Sequence, residues 1–249
     1  MSFIEIRNLC HRFPDGTLGI DGIDLSIEKG EFVVIAGKNG SGKTTLLRHL
    51  NGLLTPSNGE VILDGMSVGQ DPRRARRIVG MVFQDADSQI VGETVYEDAA
   101  FGPENLKLDR EAIRQRVVNA LAVVALERLS EQRPHILSGG EKRRLAIAGV
   151  LAMEPEVVVF DEPFSNLDYD GIRQVLTQML TLHKVGKTLL VTTHDLEKVI
   201  THADRLVILF EGEVVRNGAP ADLLEETENF GVRQPCAARL GGEVPSWLD

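Results

Sequence analysis

The chain has 249 residues, 43% of them hydrophobic, and a formal net charge of −10. That is enough apolar material for one large domain or two small ones. The acidic balance excludes the broad basic field that neutralising many nucleic-acid phosphates requires, so nucleic acid is not expected as a partner.

The two cysteines, Cys10 and Cys236, are far apart in sequence, which suits neither a disulfide framework nor a zinc site and fits a reducing, cytoplasmic setting. No basic and apolar leader opens the chain, and no apolar run approaches the ~18 residues that span a bilayer. A membrane role would need another chain to carry this one there.

In chain order, residues 3–7 alternate apolar with polar and are followed by the turn Pro14-Asp15-Gly16. Residues 61–63 follow the turn Pro56-Ser57-Asn58-Gly59. Both read as strands of a small antiparallel layer. By contrast, residues 32–36, 79–83, 157–160, 189–192 and 206–209 are too uniformly apolar for a one-sided sheet and predict a mainly parallel sheet covered on both faces by helices. Strand signals vanish between about residues 86 and 154. There Ile113, Val117, Leu121 and Val124 recur at helical spacing over residues 109–129, with Asp109 as N-cap, and a second helix runs over residues 142–153 until Pro155 stops it. The expected fold class is therefore α/β with an antiparallel β subdomain and a helical insertion at about 86–154. One domain is expected over residues 1–230, with residues 231–249 as a weakly periodic tail of unread role. Arg73, Arg74, Arg76 and Arg77 read as a solvated surface, with binding to lipid headgroups or a membrane partner as the alternative, and Gly102-Pro103 as a helix break that gives the insertion an exposed corner.

Chemistry enters at Gly37-Lys38-Asn39-Gly40-Ser41-Gly42-Lys43-Thr44, which fits G-x-x-x-x-G-K-[ST] between a predicted strand and a helix continuing from Thr45 over residues 45–51. Gly37, Gly40 and Gly42 let the backbone amides around Asn39 and Ser41 turn inward on phosphates. Lys43 reaches the terminal phosphates, and the Thr44 hydroxyl is placed to ligate Mg²⁺. A P-loop NTPase core follows as the expectation, with ATP and Mg²⁺ as cofactors. Residues 157–162, Val-Val-Val-Phe-Asp-Glu, resemble a Walker B strand. In such a site Asp161 orients the metal and Glu162 sits where it can polarise an attacking water.

Leu137-Ser138-Gly139-Gly140-Glu141 resembles the signature motif of the ATP-binding cassette ATPases, and the resemblance covers roughly residues 3–225. It implies that Gln84 is the Q-loop glutamine touching Mg²⁺ and water, that Ser165-Asn166-Leu167-Asp168 is the D-loop, and that His194 is the switch histidine contacting the γ-phosphate. It also puts Phe13 where the family stacks an aromatic ring on adenine. Glu141 stands where glutamine is usual, and Phe13 where tyrosine is commoner. Ser138 with the amides of Gly139 and Gly140 forms a second anion site at a helix N-terminus. Family cassettes dimerise head to tail, so that this signature closes on the partner's γ-phosphate.

Residues 82–91, with Glu97-Asp98 and residues 101–106, Phe-Gly-Pro-Glu-Asn-Leu, are similar to the energy-coupling factor ATPases, the group that includes cobalt-uptake cassettes. That resemblance implies a second cassette, identical or paralogous, and a transmembrane coupling protein with a separate substrate-capture membrane protein for a metal ion or vitamin. The chain would then work at the cytoplasmic face of the membrane. A soluble cassette of DNA repair or translation is the alternative, but those families join two cassettes in one chain or insert a long coiled coil. A P-loop kinase or GTPase would leave the signature, D-loop and switch histidine unexplained.

Overall fold

The computed structural model describes residues 2–249. Two sheets share the chain. A four-stranded antiparallel sheet contains β1 (Ile4–Arg12), β2 (Leu18–Ile27), β4 (Asn58–Leu63) and β5 (Met66–Ser67) in the order β2-β1-β4-β5. A six-stranded sheet has the order β10-β9-β3-β8-β7-β6, from β3 (Phe32–Ala36), β6 (Val79–Val82), β7 (Val157–Asp161), β8 (Thr188–Thr193), β9 (Arg205–Phe210) and β10 (Glu213–Gly218). Its four pairings from β9 to β6 are parallel, and the edge strand β10 runs antiparallel to β9.

The uniform apolar runs are explained by the two cores. Phe32, Val34, Val158, Phe160, Leu189 and Val191 face one cluster, while Val33, Ile35, Val157, Val159 and Leu190 face the other. Successive side chains on a strand point to opposite faces, so a strand buried on both must be apolar throughout. Each such side chain contributes roughly 1.5–3 kcal/mol of burial free energy. The first cluster is completed by α3 (Val95–Asn105), α4 (Arg110–Val123), α5 (Gly139–Leu151) and α6 (Tyr169–Lys184), the second by the antiparallel sheet with α1 (Lys43–Leu50) and α2 (Pro72–Ile78).

Several expectations are corrected. Asp109 does cap α4, accepting from the amides of Glu111 and Ala112, but the helix stops at Val123 because Ala125 adopts φ 54. Gly102-Pro103 is no exposed corner: Pro103 is buried inside the last turn of α3. A Cβ at Gly102 would lie 2.5 Å from Met153 Cγ, so the glycine is there for the close approach of α3 to the end of α5. Both phosphate-site helices begin earlier than read, α1 at Lys43 and α5 at Gly139. Strands β2 and β10 and helix α2 were not anticipated. The arginine cluster is the α2 surface: Arg74 pairs with Asp64 at 2.9 Å, while Arg73 and Arg77 are exposed.

The tail is anchored. Arg173 on α6 donates to the carbonyls of Trp247 (2.8 Å) and Leu248 (3.2 Å), the Trp247 ring packs against Tyr169 at 5.5 Å, and Ser246 Oγ lies 3.1 Å from His202 Nε2. Residues 244–248 thereby bridge the start of α6 and the turns that follow β8.

Behind the phosphate loop, His49 on α1 is buried, its Nδ1 bonded to Thr45 O at 2.7 Å and its ring 4.8 Å from His11. Burial, assisted by His11, lowers its pKa below the ordinary 6.5. A base whose folded pKa is depressed stays neutral in the fold, so the unfolded chain binds the extra proton. Stability is therefore fully present above pH 6.5 and falls as the pH drops below it. His202, depressed by burial as well, adds a slope of the same sign. In thermal melts between pH 7 and pH 5, His49→Gln is expected to flatten the pH dependence by at most about 1.4 kcal/mol per pH unit; an unchanged slope would assign the effect elsewhere.

Candidate active site

Parallel pairing sets the ends of four strands level. Ala36 pairs with Thr193, Asp161 with Thr192 and Val82 with Phe160. The loops that leave β3, β7, β8 and β6 therefore emerge side by side at the carboxyl edge of the sheet, the customary ligand position in open α/β folds. They carry, respectively, the glycine-rich loop, Asp161-Glu162, His194 and Gln84.

The phosphate loop has the backbone its sequence implies. Gly42 adopts φ 102, and a Cβ there would lie 2.7 Å from Gly19 O and 2.8 Å from Ile20 Cγ2, so only glycine fits. At Gly37 a Cβ would collide with Ser41 Oγ. Lys43 is buried, and its Nζ donates to the carbonyls of Gly37 (2.7 Å) and Lys38 (3.2 Å) while lying 3.4 Å from Glu162 Oε1. Asn39 and Gly40 lie at the exposed rim of the loop. Thr45 is the third residue of α1, and its side chain lies beside Gly19, as does the Phe13 ring. Phe13 stands at the end of β1, edge-on to His11 at 4.7 Å. It is half-buried beside the start of α1.

Thr44 Oγ1 donates to Asp161 Oδ2 at 2.8 Å, and Asp161 Oδ1 accepts from Thr192 Oγ1 at 2.7 Å. A hydroxyl and a carboxylate this close are the hard oxygen donors that Mg²⁺ prefers, at a spacing that suits neighbouring corners of an octahedron of about 2.1 Å radius. No group of three or more His, Cys, Asp or Glu able to hold a metal occurs among the described residues, so a divalent ion here would share its coordination with phosphate oxygens and water. The residues fit Mg²⁺ in that role.

Glu162 adopts φ 48, an uncommon conformation for a residue with a side chain. The strain is over-determined by its amide, which donates to Thr192 O (3.2 Å) and Thr192 Oγ1 (3.1 Å). Such outliers gather at functional sites. His194 Nδ1 contacts Glu162 Oε2 at 2.9 Å; a carboxylate oxygen accepts, so that nitrogen is the donor. Glu162 Oε1 accepts no hydrogen bond.

Gln84 is exposed just after β6. Its backbone carbonyl and that of Phe83 accept from the buried guanidinium of Arg143, and Gln89 holds the other side of this loop by accepting from Phe83 N (3.0 Å) and donating to Met81 O (3.2 Å). Thr192 and Arg143 had no signal in the sequence, since each acts through a contact with a distant segment, and Gln89 entered it only as part of the run 82–91.

The helix start expected as a second anion site sits apart. Ser138 caps α5, and Glu141 closes a capping box by accepting from Ser138 N and Ser138 Oγ, both at 2.8 Å. Those bonds from Ser138 hold the Glu141 carboxyl below its ordinary pKa. Ionised, it serves the cap as the usual glutamine oxygen would. Ser138, Gly139, Gly140 and Asp168 line one cavity of about 380 Å³. Asp168 itself caps α6, accepting from Gly171 N at 2.9 Å. Among the described residues no hydrogen bond joins Ser138–Glu141 to the loop at 37–44.

Comparison with known proteins bears on the family and the fold. The ABC transporter family model matches residues 20–165. The chain is 42% identical over 246 residues to the energy-coupling factor transporter ATP-binding protein EcfA of Methanococcus maripaludis, covering 96% of this chain and 88% of that one. Among solved structures it superposes on cbiO1 from Clostridium perfringens, part of the ABC transporter complex cbiONQ, with TM-score 0.82 and 37% identity over 92% of each chain. It also superposes on a dimeric bacterial ABC transporter cassette with TM-score 0.78 and 31% identity, covering 87% of this chain and 98% of that one.

Proposed function

Because the chain belongs to the ABC transporter family of ATP-binding cassettes and is an ATPase, we propose that it is the ATP-hydrolysing subunit of an energy-coupling-factor-type importer for a metal ion or vitamin. It would act as a head-to-tail dimer. The observation that carries this reading is that the loop at 37–44 and the Ser138 helix start, each suited to an anion, lie in one chain with no hydrogen bond between them among the described residues. Two copies, or this chain and a paralogue, complete each site from both halves, as the dimeric relative's arrangement supports.

Within each composite site, Gly37, Asn39, Gly40, Ser41, Gly42, Lys43 and Thr45 would hold the phosphates and Phe13 the adenine, with Ser138, Gly139, Gly140 and Asp168 contributed from across the dimer. Thr44, Asp161 and Gln84 would hold Mg²⁺, which when bound neutralises charge developing on the transferred phosphoryl. Glu162 acts as general base: His194 Nδ1–H fixes Oε2, and Oε1, which accepts no hydrogen bond, takes the proton of the attacking water. His194, its side chain 54% exposed, can also face the γ-phosphate.

No helix among the described residues is long and apolar enough to cross a membrane. A cleft of about 260 Å³ between the sheet and the helical layer, with Leu53, Val91 and Phe101 along it, offers exposed apolar surface. It suits an apolar segment of a transmembrane coupling protein, which would place the cassette at the cytoplasmic face of the membrane. Co-purification from native membranes, with identification of the bound membrane proteins, tests this. We expect a coupling protein and a substrate-capture protein; recovering neither would favour the soluble alternative. Phe101→Asp, a change at an exposed position, is expected to cut recovery of the coupling protein about 10- to 30-fold without altering the isolated ATPase.

A further inference from the structure

We propose that Arg143 is a positioning residue that fastens the Gln84 loop to the helix carrying Ser138–Gly140, so that a chain's own phosphate site and the half-site it lends its partner move as one unit. The inference rests on the two-chain reading above. Arg143 lies in the second turn of α5 and is 4% exposed. Its Nη1 donates to Phe83 O and its Nη2 to Gln84 O. It makes no ion pair among the described residues; Asp85 and Asp161 favour its charge only from farther off.

A buried guanidinium satisfied by two consecutive carbonyls ties the loop to the helix in one register, because sliding either would strand a charge in a low-dielectric interior. The adjacent Lys142 adds a second tie to the same loop, pairing with Asp87 at 2.6 Å. On the opposite side Gln89 binds the loop to β6. The loop therefore stands between the sheet edge, where Asp161 and Glu162 sit, and the helix start, where Ser138 sits. A shift of Gln84 is passed to the signature through Arg143, and so from one composite site to the other. Lysine keeps the charge but lacks the planar fork whose two nitrogens meet the two carbonyls in one fixed geometry.

The test compares Arg143→Met and Arg143→Lys with the wild-type chain in three measurements: nucleotide affinity of the monomer, hydrolysis against ATP concentration, and retention of the ATP-dependent dimer on a sizing column in a Glu162→Gln background. We expect monomer affinity to stay within about twofold and kcat of the methionine variant to fall about 3- to 30-fold. Its Hill coefficient should drop from about 2 towards 1, and less dimer should be retained. The lysine variant should recover part of each loss.

Wild-type kcat and Hill coefficient in Arg143→Met would overturn the proposal. So would a lowered melting temperature with loss of nucleotide binding in both variants, which would make Arg143 a core residue only. A wild-type chain that hydrolyses ATP without cooperativity, at a rate simply proportional to protein concentration, would instead overturn the two-chain reading.

Discussion

Glu162→Gln is expected to slow ATP hydrolysis by about 10² to 10⁴, the range for a lost general base, and to accumulate an ATP-bound dimer. The substitution changes little else. Glutamine keeps the shape and an oxygen for His194 Nδ1–H, while the amide of residue 162 stays held by Thr192. What it removes is the basicity of Oε1, the carboxylate oxygen that accepts no hydrogen bond. The ion pair with Lys43, 3.4 Å away, is lost as well, which leaves the lysine freer for phosphate and favours nucleotide retention. Phosphate release under steady-state conditions, read beside a sizing column run with ATP, checks both halves of the expectation. Undiminished turnover would remove Glu162 from the role of base.

Ser138→Arg is expected to abolish turnover while leaving ATP binding by the monomer largely intact. Losing the Ser138 cap costs about 1 kcal/mol of helix stability, too little to unfold a domain of this size. The larger cost falls on the dimer: the arginine side chain fills the cavity that Ser138, Gly139, Gly140 and Asp168 line and blocks approach of the partner's γ-phosphate. Nucleotide binding by one chain uses the loop at 37–44, which makes no hydrogen bond to the signature among the described residues. Equilibrium binding of a fluorescent ATP analogue to the monomer separates the two effects. Loss of that binding would contradict a site shared between chains.

The motifs were legible in the sequence because each is contiguous and its function depends on local backbone. A loop of glycines before Lys43-Thr44 needs positive φ at Gly42, and Asp161-Glu162 needs only a strand end. The doubly buried strands were equally legible, since burial on both faces leaves no polar position to confuse the pattern. β2 and β10 were not. Both carry glycines and exposed positions, and each is fixed as a strand by pairing with a neighbour, β1 or β9, rather than by its own composition. Pro103 misled for a related reason. A proline at this position removes the helix bond to the carbonyl of Ala99, yet α3 runs on to Asn105, with Pro103 buried and Gly102 closely approached by Met153.

By itself, then, the sequence determined the ATP-binding cassette with its glycine-rich loop, a Ser138-Gly139-Gly140 helix start that reads as a second anion site, and a resemblance to cassettes working beside a membrane partner. Only the tertiary structure decided how those pieces are coupled. Thr192 orients Asp161 and strains Glu162 into place, His194 fixes one oxygen of that glutamate, and Arg143 reaches across 60 residues of chain to Phe83. The physical reason is range. A phosphate loop works through neighbours a few residues apart, whereas the orientation of a base and the tie between two half-sites are hydrogen bonds between segments that only folding brings within 3 Å of each other.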